Sequence, residues 1–140
     1  MAREVFVDSG AWIALAVDRD QWHKSAVREY RELVDLKVLF ITSNLVIAET
    51  YIMIRARGGH AAGMGFLLSV RSSPRVEVIR SDLAIELAAE RILGQFDDQD
   101  FSFTDAVSFS VMHARQLSEA FAFDHHFAVA GFQMIPVMGV

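Results

Sequence analysis

Short apolar runs alternate with longer amphipathic stretches in this sequence of 140 residues. The short runs are too brief for helices and are typical of buried strands, whereas apolar residues recurring every three or four positions indicate helices. The predicted strands are 4–8, 38–41, 76–79, 120–123 and 132–135, and the predicted helices are 11–17, 22–36, 45–57, 61–71, 82–93 and 105–116.

The helix ends carry capping signals. Ser9 is placed to cap the first helix and Thr104 the last, and Gly58-Gly59 ends the third. Strands that alternate with helices favour right-handed crossovers and a mainly parallel sheet covered on both faces. The fold class is therefore α/β, a three-layer α/β/α sandwich, in a single domain over residues 1–140.

Composition excludes several classes of protein. With no Cys, a disulfide scaffold, a thiolate zinc site and a cysteine nucleophile are all ruled out. The start, MAREVFVD, does not resemble a signal peptide, and no apolar run reaches the ~20 residues of a membrane span. A hydrophobic content of 53% argues against intrinsic disorder. We therefore expect a cytoplasmic protein without membrane contact.

The net charge of −5 argues against an ordinary basic nucleic-acid binder. Arginines nevertheless concentrate in residues 55–80, where Glu77 is the only acid. Arginine forks suit phosphate contacts, so Arg55 and Arg57 are candidate RNA-binding residues. Surface charge that only maintains solubility is the alternative.

Two aspartates follow apolar strands with no neighbouring positive charge. They are Asp8, after VFV, and Asp124, after FAF. In α/β sheets the ligand crevice lies beyond the carboxyl ends of the strands, which places both at one edge. A cap or turn role is the alternative for each, because Asp is common at such positions.

Two further carboxylates stand on predicted helices. Glu49 shares a face with Leu45 and Ile52, which predicts a carboxylate on an inward apolar face. Asp105 lies in the first turn of the last helix, where the helix dipole alone would also favour an acid. The alternative is that Glu49 lies at the edge of this apolar helix face and is exposed to solvent.

The four carboxylates, two at strand ends and two on helices, could converge in one ligand crevice. Without a cation they would repel one another and raise one another's pKa values. Oxygen ligands suit Mg²⁺ or Mn²⁺ rather than zinc. Such ions serve phosphate chemistry by neutralising the scissile phosphate, activating a water and stabilising the leaving oxygen.

The segments that carry these acids also resemble a known family. VFVDSGAWIAL, NLVIAET, FSFTDAVSFSVM and AFAFDHHFAVAGF are similar, in order, to the four acidic motifs of the PIN-domain family, and in particular of VapC-type toxins. The resemblance implies an α/β/α fold and an Mg²⁺- or Mn²⁺-dependent endoribonuclease. It assigns Asp8, Glu49 and Asp105 to the core acids and Asp124 to the variable fourth. Thr104 and Ser9 are supporting residues.

The resemblance also implies partners: an RNA substrate and a cognate antitoxin, with a homodimer left open. A housekeeping RNA-processing nuclease is the alternative within the same class. A non-catalytic RNA- or protein-binding module is the alternative from another class, and a phosphoacceptor domain is disfavoured because no lysine follows Lys37. The acidic loop with Asp97, Asp98 and Asp100 is interpreted as a solvated loop. One of His125 and His126 is expected to make a contact at a helix start, and a role near a bound phosphate is the alternative.

Overall fold

The computed structural model describes residues 2–137, which form five strands and seven helices. In chain order these elements are β1 (Glu4–Val7), α1 (Ser9–Ala16), α2 (His23–Asp35), β2 (Leu39–Ser43), α3 (Asn44–Gly58), α4 (His60–Ser72), β3 (Val76–Ile79), α5 (Leu83–Gln95), α6 (Phe103–Ala114), β4 (Glu119–Phe121), α7 (His126–Val129) and β5 (Gln133–Ile135). Strands and helices alternate as the sequence predicts, so the α/β class is confirmed.

The five strands form one parallel sheet in the order β3-β2-β1-β4-β5. The chain starts in the middle, at β1, moves outward through β2 and β3, and returns to the other side of β1 as β4. Right-handed crossovers in these opposite directions place α1–α4 on one face and α5–α7 on the other. The direction reverses between β1 and β4, and in open α/β sheets the ligand crevice lies at such a point, at the carboxyl ends of the strands.

Phenylalanine fills much of the space between the sheet and α6. Phe6 of β1, Phe109 of α6 and Phe127 of α7 are fully buried. The rings of Phe109 and Phe127 pack edge to face with centroids 5.1 Å apart, and those of Phe6 and Phe127 lie 6.2 Å apart. Aromatic pairs of this kind add to the free energy gained by burial. The strand ends that carry the acids are therefore held by a rigid core.

Three differences between predicted and observed element ends concern the segments that carry the acids. The helix that was expected to begin at 105 begins at Phe103, and its cap is Ser102 rather than Thr104, because the Ser102 hydroxyl accepts the Asp105 N–H at 3.0 Å. Ser9 is not a cap: it is the first residue of α1, and Asp8 occupies the capping position. Strand β4 ends at Phe121, two residues before the predicted end.

Other caps lie where the sequence signals them. The Ser43 hydroxyl accepts the Val46 N–H at 3.2 Å and starts α3, and the Asp82 carboxylate accepts the Ile85 N–H at 2.9 Å and starts α5. Between α3 and α4, Gly59 has φ of +92°, a conformation that favours glycine. No helix within residues 2–137 has both the length and the apolar character needed to cross a membrane.

Candidate active site

Asp8 lies at the reversal point of the sheet, directly after β1. Its backbone N–H donates to the carbonyl of Phe121 at 3.1 Å, which ties the end of β1 to the end of β4. The residue is only 4% exposed. A carboxylate in such a place needs a hydrogen-bonding or cationic partner if it is to stay ionised. Asp8 is therefore a fixed, nearly buried acid at the bottom of the crevice.

Asp105 faces the same crevice from the first turn of α6. Its Oδ2 accepts the backbone N–H of Ser102 at 3.0 Å, and its own N–H donates to the Ser102 hydroxyl. This reciprocal capping box fixes the carboxylate in one orientation. Phe109 and Met112, farther along the helix, are buried as expected, so Asp105 stands at the crevice end of a buried face.

Asp124 lies in the loop between β4 and α7 and is half-buried. Its Oδ1 accepts the backbone N–H of His126 at 2.9 Å, which is the expected contact between one of the two histidines and a helix start. The ring Nδ1 of His126 lies 3.3 Å from the same oxygen and 3.2 Å from Asp105 Oδ2. One ligand atom from each of Asp105, Asp124 and His126 lies within 4.8 Å of the other two.

Glu49 stands in the second turn of α3 and approaches the crevice from the opposite face of the sheet. The prediction of an inward apolar face is wrong, because Glu49 is exposed and Ile52, on the same face, is 64% exposed. The core side of α3 is formed by Val46, Thr50 and Ile54. The hydroxyl of Ser9 donates to Glu49 Oε1 at 3.0 Å and orients the carboxylate toward α1.

The electrostatics of Asp8 indicate that the other three acids lie near it. The pKa of Asp8 is raised to about 7, mainly because the carboxyl group is buried. The negative charges of Asp105, Asp124 and Glu49 contribute to this rise, and the backbone N–H of Ser9 opposes it. Charges influence one another to this extent only across a short separation. Carboxylates far apart in the sequence are therefore close neighbours in space.

Cations that could neutralise these acids are scarce. Among residues 2–137, no lysine or arginine forms an ion pair with any of the four; only His125 and His126 come within 4 Å of them. The arginines that form ion pairs meet acids elsewhere, at Asp20, Glu4, Glu77 and Glu119. Clustered carboxylates with an imidazole and no guanidinium or ammonium group can hold a divalent cation.

The remaining predicted residues lie around this cluster or away from it. Thr104 follows Phe103 in the first turn of α6, half-buried, and its role in ordering the site stays a prediction. The acids of the loop, Asp97, Asp98 and Asp100, are all exposed, as a solvated loop requires. The sequence did not distinguish His126 from His125, and the structure shows that His126 is the one beside Asp105 and Asp124.

The candidate RNA-binding arginines stand near the far end of α3. At 1.5 Å per residue, Arg57 lies about 12 Å beyond Glu49 along the helix axis. Its guanidinium pairs with Asp20 at 3.0 Å, and Arg19 donates to the Arg57 carbonyl. Arg55 is exposed. Their contact with RNA stays a prediction.

Comparisons with known proteins agree with this arrangement. The PIN domain family matches residues 5–133. The 23S rRNA-specific endonuclease VapC20 of Mycobacterium tuberculosis is 36% identical over 130 residues, which cover 91% of this chain and 95% of that protein.

Two solved structures have the same fold. The crystal structure of M. tuberculosis VapC20, described as a sarcin-ricin loop cleaving toxin, superposes with a TM-score of 0.84 at 34% identity over 91% of this chain and 95% of that one. VapBC2 from Rickettsia felis, bound to a DNA fragment from its promoter, gives a TM-score of 0.69 at 14% identity over 94% and 96%. At that identity the second likeness shows the fold alone.

Proposed function

Because this chain belongs to the PIN-domain family, as a VapC-type endoribonuclease, we propose that Asp8, Glu49, Asp105 and Asp124 are its catalytic residues and hold Mg²⁺ or Mn²⁺. The observation that carries the proposal is the state of Asp8. It is nearly buried, its pKa is about 7, and three other carboxylates raise that pKa while no lysine or arginine in residues 2–137 pairs with it. At and above neutral pH, where Asp8 loses its proton, such a site favours a bound cation.

When bound, such an ion stabilises charge on the scissile phosphate and makes a water molecule more acidic. The residues of the chain orient the cluster. Asp8 is fixed by the end of β1, Ser102 holds Asp105, and Ser9 holds Glu49. Asp124 lies in a loop and is half-buried, which suits a second or transient ligand better than a permanent one.

The substrate that we propose is RNA, with 23S rRNA as the first candidate. The relative named for cleavage of 23S rRNA is 36% identical over 91% of this chain, which supports a substrate of the same class. The carboxylates alone would suit hydrolysis of any phosphodiester, so the choice of RNA depends on this likeness. The alternative of a non-catalytic binding module finds no support in a relative that is an endonuclease.

Incubation with intact bacterial ribosomes and with total RNA tests this function. We expect cleavage at a single internal position of 23S rRNA in Mg²⁺ or Mn²⁺ and none in excess EDTA, with activity restored by returning either ion. Mapping the new 5′ ends identifies the site. Cleavage at many unrelated positions would contradict the substrate, and cleavage that persists in EDTA would contradict the metal dependence.

Arg55 and Arg57 are proposed to contact RNA phosphates. In EDTA, where cleavage is prevented, the double variant Arg55→Ala/Arg57→Ala should bind RNA more weakly whatever its sequence. Each lost phosphate contact should reduce the slope of log affinity against log salt by about 1. Arg91→Ala, an exposed arginine on α5, is the matched control. An unchanged salt slope in the double variant would mean that these arginines are surface charge only.

A cognate antitoxin is the protein partner that we propose. The likeness to a sarcin-ricin loop cleaving toxin supports it, since a nuclease that acts on essential RNA must be restrained in the cell that makes it. Large apolar side chains are available for such a contact on α3 and α4, where Ile52, Met64 and Leu68 are all exposed. A homodimer and a cytoplasmic location remain predictions from the sequence.

A further inference from the structure

One nitrogen atom lies among the carboxylates of the site. His126 Nδ1 is 3.2 Å from Asp105 Oδ2 and 3.3 Å from Asp124 Oδ1. One ligand atom from each of these three side chains falls within 4.8 Å of the others, the spacing of a group that can share one ion. The proposed function uses carboxylate oxygens alone, and it gives this imidazole no task.

The ring is held in position on two sides. The backbone N–H of His126 donates to Asp124 Oδ1 at 2.9 Å, which anchors the start of α7. The ring packs edge to face on Phe101, with centroids 5.2 Å apart and planes at 78°. Its side chain is 17% exposed, against 80% for the neighbouring His125. Nδ1 is therefore preorganised toward the two carboxylates.

The distances suit neighbouring ligands of one ion. With a proton on Nδ1, the 3.2 Å contact to Asp105 Oδ2 is a hydrogen bond, longer than the usual length of about 2.7–2.9 Å for a charge-assisted one. Adjacent ligands of an octahedral ion with bonds of about 2.1 Å lie about 3 Å apart, which is closer to the observed values. With its proton on Nε2, the imidazole presents the Nδ1 lone pair to the space shared with Asp105 and Asp124.

We propose that His126 supplies an imidazole ligand to the metal ion held by Asp105 and Asp124, and that this nitrogen favours Mn²⁺ over Mg²⁺. Carboxylates and water serve both ions, whereas imidazole binds transition ions in preference to Mg²⁺. The inference rests on the function proposed above, because it requires Asp105 and Asp124 to be ligands. The inference adds His126 to the four proposed carboxylate ligands and predicts that the site prefers Mn²⁺.

Metal binding to the whole chain without RNA tests this assignment. Titration calorimetry with Mn²⁺ and with Mg²⁺ compares the wild type with His126→Phe, which keeps an aromatic ring against Phe101 and removes the nitrogen. We expect Mn²⁺ affinity to fall tenfold or more and Mg²⁺ affinity to change much less. His125→Ala is the matched control and should bind both ions as the wild type does.

Electron spin-echo spectroscopy of bound Mn²⁺ gives a second result that needs no variant. We expect ¹⁴N modulation from a coordinated imidazole in the wild type and in His125→Ala, and its loss in His126→Phe. A wild-type spectrum without ¹⁴N modulation, or an unchanged Mn²⁺-to-Mg²⁺ affinity ratio in His126→Phe, would overturn the role of His126.

These results separate the two proposals. If Asp8→Asn and Asp105→Asn abolish Mn²⁺ binding while His126→Phe changes nothing, the carboxylate site stands and only the nitrogen ligand fails. If the wild type binds neither ion, or if the aspartate variants bind both as tightly as the wild type, the carboxylate site itself is wrong and the role of His126 falls with it.

Discussion

RNA cleavage should fall by several orders of magnitude when Asp8, Glu49 or Asp105 is replaced by its amide. The substitutions preserve the shape of the side chain and remove one anionic ligand each; they are Asp8→Asn, Glu49→Gln and Asp105→Asn. The cation is then bound more weakly and is positioned less precisely. Asp124→Asn should cost less, because Asp124 is half-buried in a loop, whereas Asp8 follows a strand directly and Asp105 is fixed by a capping box. Initial rates on the mapped substrate, at saturating metal, measure the effect.

The growth of bacteria that express the chain alone is a second measure of the activity of these variants. The wild type should arrest growth and Asp8→Asn should not. Asp97→Asn, which removes an exposed acid outside the cluster, should behave as the wild type in both assays. Near-normal turnover in any two of the three core variants would contradict the metal site. An active enzyme that cells tolerate would favour the housekeeping nuclease.

The metal-free protein should become less stable as pH rises from about 4 to about 7. The folded state raises the pKa of Asp8 from 3.8 to about 7, so in this window the folded protein binds a proton that the unfolded chain has released. The contribution of Asp8 to stability is full below pH 4 and is lost as the pH approaches 7. At 1.36 kcal/mol for each pKa unit, the loss is on the order of 4 kcal/mol.

Thermal melts of the wild type and Asp8→Asn in EDTA test this expectation. Asn cannot ionise and is as good a helix cap as Asp, so the variant should melt higher than the wild type at pH 7 and show a flatter pH profile. Mn²⁺ at a hundredfold excess over Kd should stabilise the wild type by about 2.7 kcal/mol, and the variant much less. If Asp8→Asn lowers the metal-free melting temperature at pH 7, Asp8 serves the fold and not a cation. Na⁺ at matched ionic strength controls for screening.

The sequence predicts the sheet, and the place of Asp8 at its edge, because both follow from local signals. Apolar runs of four or five residues between amphipathic segments require buried parallel strands, and Asp8 directly after such a run lies at the carboxyl edge of the sheet. The strand order brings together the elements that carry Asp8, Glu49, Asp105 and Asp124. The handedness of the crossovers and the family resemblance both constrain that order. The strand order itself, 3-2-1-4-5, was not predicted from the residues.

The errors arise where tertiary packing decides between equivalent local choices. Ser102 and Thr104 can both cap a helix, and the reciprocal bond between Ser102 and Asp105 selects the first. Glu49 lies on an apolar stripe, yet that stripe faces solvent because α3 packs through Val46, Thr50 and Ile54 instead. His126 depends on a four-residue helix, α7, that is too short to give a periodic signal.

The central place of β1 in the sheet governs when this enzyme can first act during its own synthesis. Phe6 of β1 pairs with Ala120 of β4. The two sides of the crevice therefore meet only after β4, one of the last strands to be translated, has been made. At 5–20 residues per second, the interval is on the order of ten seconds. A nascent chain that ends before β4 carries Asp8 and Glu49 without Asp124 opposite them. The four acids therefore cannot come together until translation has passed residue 124.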